Sequence, residues 1–537
     1  MSGPHPFSLL LNAHYEYPAP PANGAYSHIR LYETVRDSYL QIIQTFRNIA
    51  ENEGRIGISM SVSPPLLTLL SDGSFRSGFG HFMDNTVKSL TSDLRYFAES
   101  GNREKLRVAE YWLKKYDELT FLFNDIGGDI TAELARLEGR GLELLTTAAT
   151  NPPLYMLGNE KCIKAQIMVG ARAFEEHVGH APGGMWIPGT LQRGDRNGSE
   201  HIAGVKSPWK TIDDAVASAG LSYFITDAGS NSVGGENGEA DVLRPVLSDT
   251  GHEQHSPHVL KGGHGTFAAL TGTVASAAGW HRCDGGYATD ADYLESDAKS
   301  VPGGIRYWHR ARDGTSVEGR ETYSPEAAAS RVEEHASDFL EEVIEKSSSC
   351  DGAIVTVAAD AELFGGMWHE GPDWISRVFG KMNGYGILAK TAGECVRETA
   401  SAETVSLSNL LCRFEFNQNS EWKESAGSLL KSIHGYETRY IALLHNMDSK
   451  KYGGTKERVA KQAGRELLLL EGSARIPGTS SGTKAEDAEH EPAHSGCFDR
   501  LMEIASKNDT DEEDRKLLEN CEKMHPIFPR LDISAWE

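Results

Sequence analysis

AIVTVAADAELFGGMWHEGPDW, residues 353–374, passes from a continuous apolar run into two carboxylates and a cluster of rings. The AIVTVA segment has no polar alternation, so it reads as a strand buried on both faces, as in parallel sheets. Asp360 follows at once, with Glu362 two positions on. If the strand persists, the two carboxylates share a face and Ala361 points away. Phe364, Trp368, His369 and Trp374 add aromatic surface beside them. Carboxylates beside rings suit a sugar, which offers hydroxyls at its rim and C–H bonds on its face. The competing reading is a carboxylate pair that caps the next helix.

Outward from this stretch the same rhythm repeats. Phe7–Leu11, Arg55–Val62, Leu142–Ala149, Gly184–Pro188 and Leu221–Thr226 read as strands. Helical spacing falls at Tyr32–Ile49, Leu90–Phe97, Leu106–Phe123, Cys162–His177, Ala215–Ala219 and Arg331–Glu345. Strands alternating with helices imply parallel strands and crossover helices, in a barrel or an open sheet. Polar or turn residues follow the strands at Asn12, Thr150, Pro188, Asp227 and Asp360, at the carboxyl ends that carry chemistry in such folds. Gly229–Gly265 lacks periodicity and reads as a long loop. From about residue 425 the pattern is helical only, at Leu429–Asn446, Glu457–Glu471, Cys497–Ser506 and Arg515–Met524.

Composition narrows the function. The chain has 537 residues, 39% of them hydrophobic, enough for two or three domains with sizeable cores. Its formal charge of −24 repels phosphate backbones, so nucleic acid and anionic membranes are excluded as partners. The N-terminus has no basic n-region and no apolar run reaches 18 residues, so neither a signal peptide nor a membrane span is expected. Seven cysteines without CxxC spacing read as reduced thiols in a cytoplasmic protein.

Other motifs carry little. GTSSG at 478–482 lacks the preceding strand that a nucleophile elbow needs. GYGILAKT at 384–391 has Ala389 where a phosphate loop needs glycine. His252, His255, His258 and His264 crowd one loop, but not at the spacing of a metal-binding helix face, and are read as solvated. Neither a metal nor a cofactor is expected.

Residues 360–372 closely resemble the DAELFGHWWFEGP signature of the branching-enzyme subgroup of glycoside hydrolase family 57. Weaker resemblances follow the family's order along the chain. NAHYEYP (12–18) is similar to HAHLPYV, LLTTAATNPPLYML (144–157) to LLTCAATHGFLPLL, and GGMWIPG (183–189) to GIWLPE. LSYFITDAGS (221–230) resembles the strand that ends in VDTHG, and Trp280 with GGYATDADY (285–293) resembles W…GYPGDPDY. EEHASDFL (333–340) and RELLLLEGSARIPGTSSG (465–482) match helical segments. The resemblance implies a distorted seven-stranded (β/α) barrel over residues 1–410, with insertions at 190–220 and 229–265, and a helical C-terminal domain over 411–537. It implies a retaining mechanism on α-1,4-glucan (amylose, glycogen or starch), with the acid/base at Asp360. His14 and Asp227 fall on subsite positions, Glu362 sits beside the acid, and Trp186, Trp280 and Trp368 fall where glucose rings would stack.

The departures concentrate at the same site. Gly189 stands where the family carries its nucleophile Glu. Asn12, Asn151 and Gly366 replace family histidines, and the D-x-HG exit keeps Asp227 without its His. A retaining glycosidase needs two carboxylates about 5–5.5 Å apart, and an inverting one also needs a second carboxylate. Glycine supplies neither. Asp195, Glu175, Glu176 and Glu200 are the stand-ins. The expectation is an α-glucan-binding relative with impaired or absent catalysis, which would serve an active enzyme or a protein partner. The alternatives are an active branching enzyme with a displaced carboxylate and an interaction module that no longer binds sugar.

Overall fold

The computed structural model describes residues 4–18, 28–187, 208–227, 230–231, 244–245, 258–261, 266–272, 286–296, 298, 304–310, 321–349, 354–399, 404–405, 420–447, 454–473, 484–507 and 509–537. Seven strands lie side by side, all parallel. In spatial order they are Val355–Asp360, His5–Ala13, Ile58–Val62, Leu142–Thr147, Gly184–Ile187, Tyr223–Asp227 and Thr266–Gly272. This is the seven-stranded (β/α) barrel arrangement, with helices on its outer face. Beyond Thr266–Gly272 the sheet continues through His258–Lys261, antiparallel, and Thr404–Val405.

Two strand readings change. TFAALTG at 266–272 is the seventh strand, and its small residues hid it from a search for bulky apolar runs. His258–Lys261, read as loop, is a strand that pairs with it. The helix read at Leu90–Phe97 begins much earlier, at Gly73. Its first turns, GSFRSGFG, have poor helix propensity, but Asp72 accepts a hydrogen bond from the Ser74 amide at 2.7 Å and caps the start. Phe75 and Phe79 then pack against Tyr32, 5.7 and 6.0 Å between centroids. A Cβ at Gly78 would come within 2.0 Å of the Tyr32 hydroxyl, so a larger residue there would have to displace that ring.

Helices Pro325–Ser349 and Gly371–Tyr385 cover the first two strands of that order. Phe7 meets Phe339 edge-on at 5.6 Å, and Phe339 meets Trp374 at 4.9 Å. The helices Ser420–Asn446, Gly454–Gly472, Lys484–Ser506 and Glu512–Met524 form the C-terminal part. They dock on the barrel through buried polar contacts as well as apolar ones. Thr150 Oγ1 donates to the Leu468 carbonyl (2.5 Å), Gln166 Nε2 to Glu471 (2.7 Å), and the Gly158 amide to Glu437 (2.9 Å). Burial raises the pKa of both glutamates, and the charge of Glu471 adds to the effect on Glu437. Among the described residues no helix is long and apolar enough to cross a membrane.

Candidate functional site

Strand register builds the site. Asn12 is the register partner of Asp360 on one side and of Ser61 on the other, so three carboxyl-end positions form a row. Their side chains join in a relay. Ser61 Oγ donates to Asn12 Oδ1 at 2.8 Å, and Asn12 Nδ2 donates to Asp360 Oδ1 at 3.1 Å. Asp360 is exposed at the strand end.

The strand does not persist beyond Asp360, so the shared-face argument for Glu362 is corrected. Ala361–Leu363 is a 3₁₀ turn, and Glu362 is brought back beside Asp360 by the turn instead. Glu362 Oε1 accepts from the His14 amide at 3.1 Å and from the Tyr39 hydroxyl. Burial, reinforced by the Asp360 charge, pushes the Glu362 carboxyl up to about 8. Tyr39 is pushed far above its ordinary range by burial and by Glu362, and so stays a donor.

A short π-helical segment, Val35–Tyr39, holds the turn from below with consecutive residues. Asp37 is buried between two guanidiniums, Arg36 Nε at 2.6 Å and Arg306 Nη2 at 2.6 Å. Ser38 Oγ donates to the Ala361 carbonyl (2.8 Å), and Tyr39 reaches Glu362. Gly365 rests on the Asp37 carbonyl with φ 89°, and a Cβ there would come within 2.0 Å of that oxygen. At Gly366, where the family has His, a Cβ would meet the Glu362 carbonyl at 2.4 Å. This tight turn thus fits glycine and not the family residue.

The aromatic readings fare differently. Trp368 is 1% exposed and packs with Tyr293, Phe364 and Trp374. Trp186 is 4% exposed, inside a cluster with Leu10, Leu145, Tyr223 and Ile225. A stacking platform needs an open ring face, and neither presents one. His369 is buried against Tyr111 (2.7 Å) and Trp112, and burial holds it well below its ordinary range, hence neutral. The rings after Asp360 therefore anchor the turn rather than line a cleft.

His14 is half-buried just past its strand. Asp227 ends the Tyr223–Asp227 strand, opposite Gly272, but its side chain lies outside the described residues. Gly189, Asp195, Glu200 and Trp280 also lie outside them. Glu175 and Glu176 are exposed near the C-terminal end of helix Glu160–Val178. Crossover helices run back toward the amino ends of the strands, so these two stand at the far end of the barrel from Asp360. Burial raises Glu176, while Arg530 and Arg172 beside it pull the other way. Sequence reading missed Tyr39 and Ser61. Tyr39 fits the apolar stripe of its helix and reads as core, and a serine in a strand carries no signal until register is known.

Comparison with known proteins gives a consistent outline. The glycosyl hydrolase family 57 model matches residues 25–252, and the C-terminal model of 1,4-alpha-glucan branching enzyme matches residues 432–536. A 1,4-alpha-glucan branching enzyme of Thermococcus kodakarensis is 27% identical, over 98% of this chain and 78% of that protein. A probable 1,4-alpha-glucan branching enzyme of Mycobacterium tuberculosis is 21% identical, over 98% and 97%. Among solved structures, the Thermococcus enzyme superposes with TM-score 0.83 at 24% identity, over 99% of this chain and 96% of that one. A family 57 branching enzyme of Pyrococcus horikoshii gives 0.80 at 23%, over 99% and 97%.

Proposed function

We propose, for a chain that belongs to glycosyl hydrolase family 57 and resembles its branching enzymes, that it binds α-1,4-glucan at the Asp360 end of the barrel without efficient turnover. The observation that carries this is the pairing of a retained Asp360 with glycine at position 189. Asp360 is exposed, hydrogen-bonded by Asn12, and able to exchange a proton with a leaving oxygen. Nothing at Gly189 can attack an anomeric carbon or activate water. Losing a nucleophile costs about 10⁴–10⁶ in rate by analogy with other covalent mechanisms. His14, Asp227 and Trp280 are the remaining subsite residues in this reading. Trp186 and Trp368, being buried, shape the barrel interior and the turn. The protein would act in the cytoplasm, holding glucan for an active enzyme or for a protein partner.

A second reading is turnover through a substitute carboxylate, and the closeness of Glu362 to Asp360 favours it. Against it, one Glu362 oxygen already accepts two hydrogen bonds, and its raised pKa keeps it protonated near neutrality. A protonated carboxyl is a poor nucleophile.

The test is amylose treated with the native protein, Gly189→Glu and Asp360→Asn, counting new α-1,6 linkages and reducing ends, together with amylose affinity gels. Silence in the native protein, gel retardation, and loss of retardation in Trp280→Ala are expected. Native turnover abolished by Asp360→Asn would establish the second reading. Absence of retardation would mean that the cleft no longer holds sugar and that the chain is an interaction module.

A further inference from the structure

Where the C-terminal helices meet the barrel, three ligand-type groups from distant parts of the chain come together. Cys162 lies in the first turn of helix Glu160–Val178, Glu437 on helix Ser420–Asn446, and Glu471 near the end of helix Gly454–Gly472. The Cys162 sulfur and one carboxylate oxygen from each glutamate lie within 4.8 Å of one another. All three residues are buried, at 1% exposure or less. Among the described residues no cationic side chain pairs with either carboxylate.

The neighbours of the two carboxylates fix their direction. The Gly158 amide donates to both Glu437 oxygens, at 2.9 and 3.2 Å. Gln166 Nε2 donates to Glu471 Oε2 at 2.7 Å, and the Thr150 amide holds Gln166 Oε1 at 3.0 Å. Glu471 Oε1 is left buried with no hydrogen-bond partner of good geometry. A proton shared between the carboxyls would draw them into a short hydrogen bond, and they make none to each other. Two carboxylates that converge without bonding, one with an orphaned oxygen, outline the place of a cation. The Trp536 indole N–H, buried beside Cys162 without an acceptor of good geometry, suits a thiolate, since a thiol sulfur accepts only weakly.

We propose that Cys162, Glu437 and Glu471 bind a zinc ion that clips two C-terminal helices to the barrel. One soft thiolate with two hard carboxylates suits a borderline ion, and zinc takes such a mixed set with water in the fourth position. Gln166 and the Gly158 amide are the outer neighbours that orient the ligands. Burial raises all three groups, so without a metal they hold their protons. Binding replaces those protons with one Zn–S and two Zn–O bonds, and the protons leave to solvent. The single negative charge that results faces the Gly158, Gln166 and Trp536 donors. The ion stiffens the junction just past strand Leu142–Thr147, where Thr150 bonds both Gln166 and the Leu468 carbonyl.

The test uses the full chain, purified without a histidine tag from zinc-supplemented cells, with metal counted by plasma mass spectrometry. About one zinc per chain is expected, falling about tenfold in Glu471→Gln and in Cys162→Ser. Glu471→Gln keeps the size of the side chain and a carbonyl oxygen for Gln166, so it separates loss of the ion from loss of the fold. Cobalt in place of zinc should give a thiolate-to-cobalt charge-transfer band that Cys162→Ser lacks. Chelation should lower the melting temperature of the native chain and leave that of Glu471→Gln unchanged. Should a variant fail to fold, the cobalt band of the native chain decides on its own. Zinc below about a tenth of an equivalent after dialysis against zinc would overturn the proposal and leave the cluster as protonated carboxyls. Zinc undiminished in either variant, or cobalt bound without the charge-transfer band, would overturn it too.

Discussion

Replacing Glu362 by glutamine tests the electrostatics of the candidate site directly. Glutamine copies the neutral acid in size, and its carbonyl can still accept from Tyr39 and from the His14 amide. What it removes is the titration. Burial and the Asp360 charge hold the native carboxyl at about 8 in the folded chain, against about 4.3 when unfolded. Between those values the folded chain keeps a proton that the unfolded chain has shed, so native stability falls as pH rises through that window. The full difference would be worth about 5 kcal/mol. Glu362 is partly open to solvent and Asp360 is exposed, so screening reduces the expected loss to about 2–3 kcal/mol. Urea unfolding of native and Glu362→Gln protein at pH 5.0 and at about pH 9, followed by tryptophan fluorescence, measures it. The variant should match the native protein at the acidic end and exceed it by that amount at the alkaline end. An equal change in both proteins across the range would refute the assignment of a raised acid to Glu362.

Two further perturbations probe the support of the site. Asp37→Ala leaves Arg36 and Arg306 buried without their carboxylate and should cost about 3–5 kcal/mol, read as a large fall in melting temperature. Binding of amylose, measured on the folded fraction at low temperature, should weaken as well, because the Ala361–Gly366 turn rests on this residue. Gly170→Ala pushes helix Glu160–Val178 off its strand, since the new Cβ would sit 2.4 Å from the Thr147 carbonyl. A loss of about 1–3 kcal/mol is expected, visible in thermal unfolding.

Much of the barrel is legible because burial on both faces leaves a direct mark on composition. AIVTVA, LLL at 9–11 and LELLTT cannot be solvated surface, and each is a strand in the sheet. TFAALTG leaves a weaker mark, because the strand is built from small residues. The site is legible in its carboxylates and illegible in its contacts. Asp360 announces itself by following a buried strand. Asn12, by contrast, becomes its partner only through register, and Tyr39 only through a π-helical turn that sequence periodicity does not show.

The aromatic residues mark the division most clearly. Sequence places Trp368 and Trp374 near two carboxylates, and proximity suggests a sugar-binding wall. Whether a ring faces solvent or core depends on which elements pack over it, and here Tyr293, Phe339 and Phe364 do. By itself the sequence determined the class of fold and the resemblance to family 57, and it raised the expectation attached to Gly189, since these are properties of periodicity, motif and identity along the chain. Tertiary structure alone decided which polar groups touch, which rings are buried and how Glu362 titrates. Those depend on distances between residues hundreds of positions apart, and on the dielectric that packing creates around them.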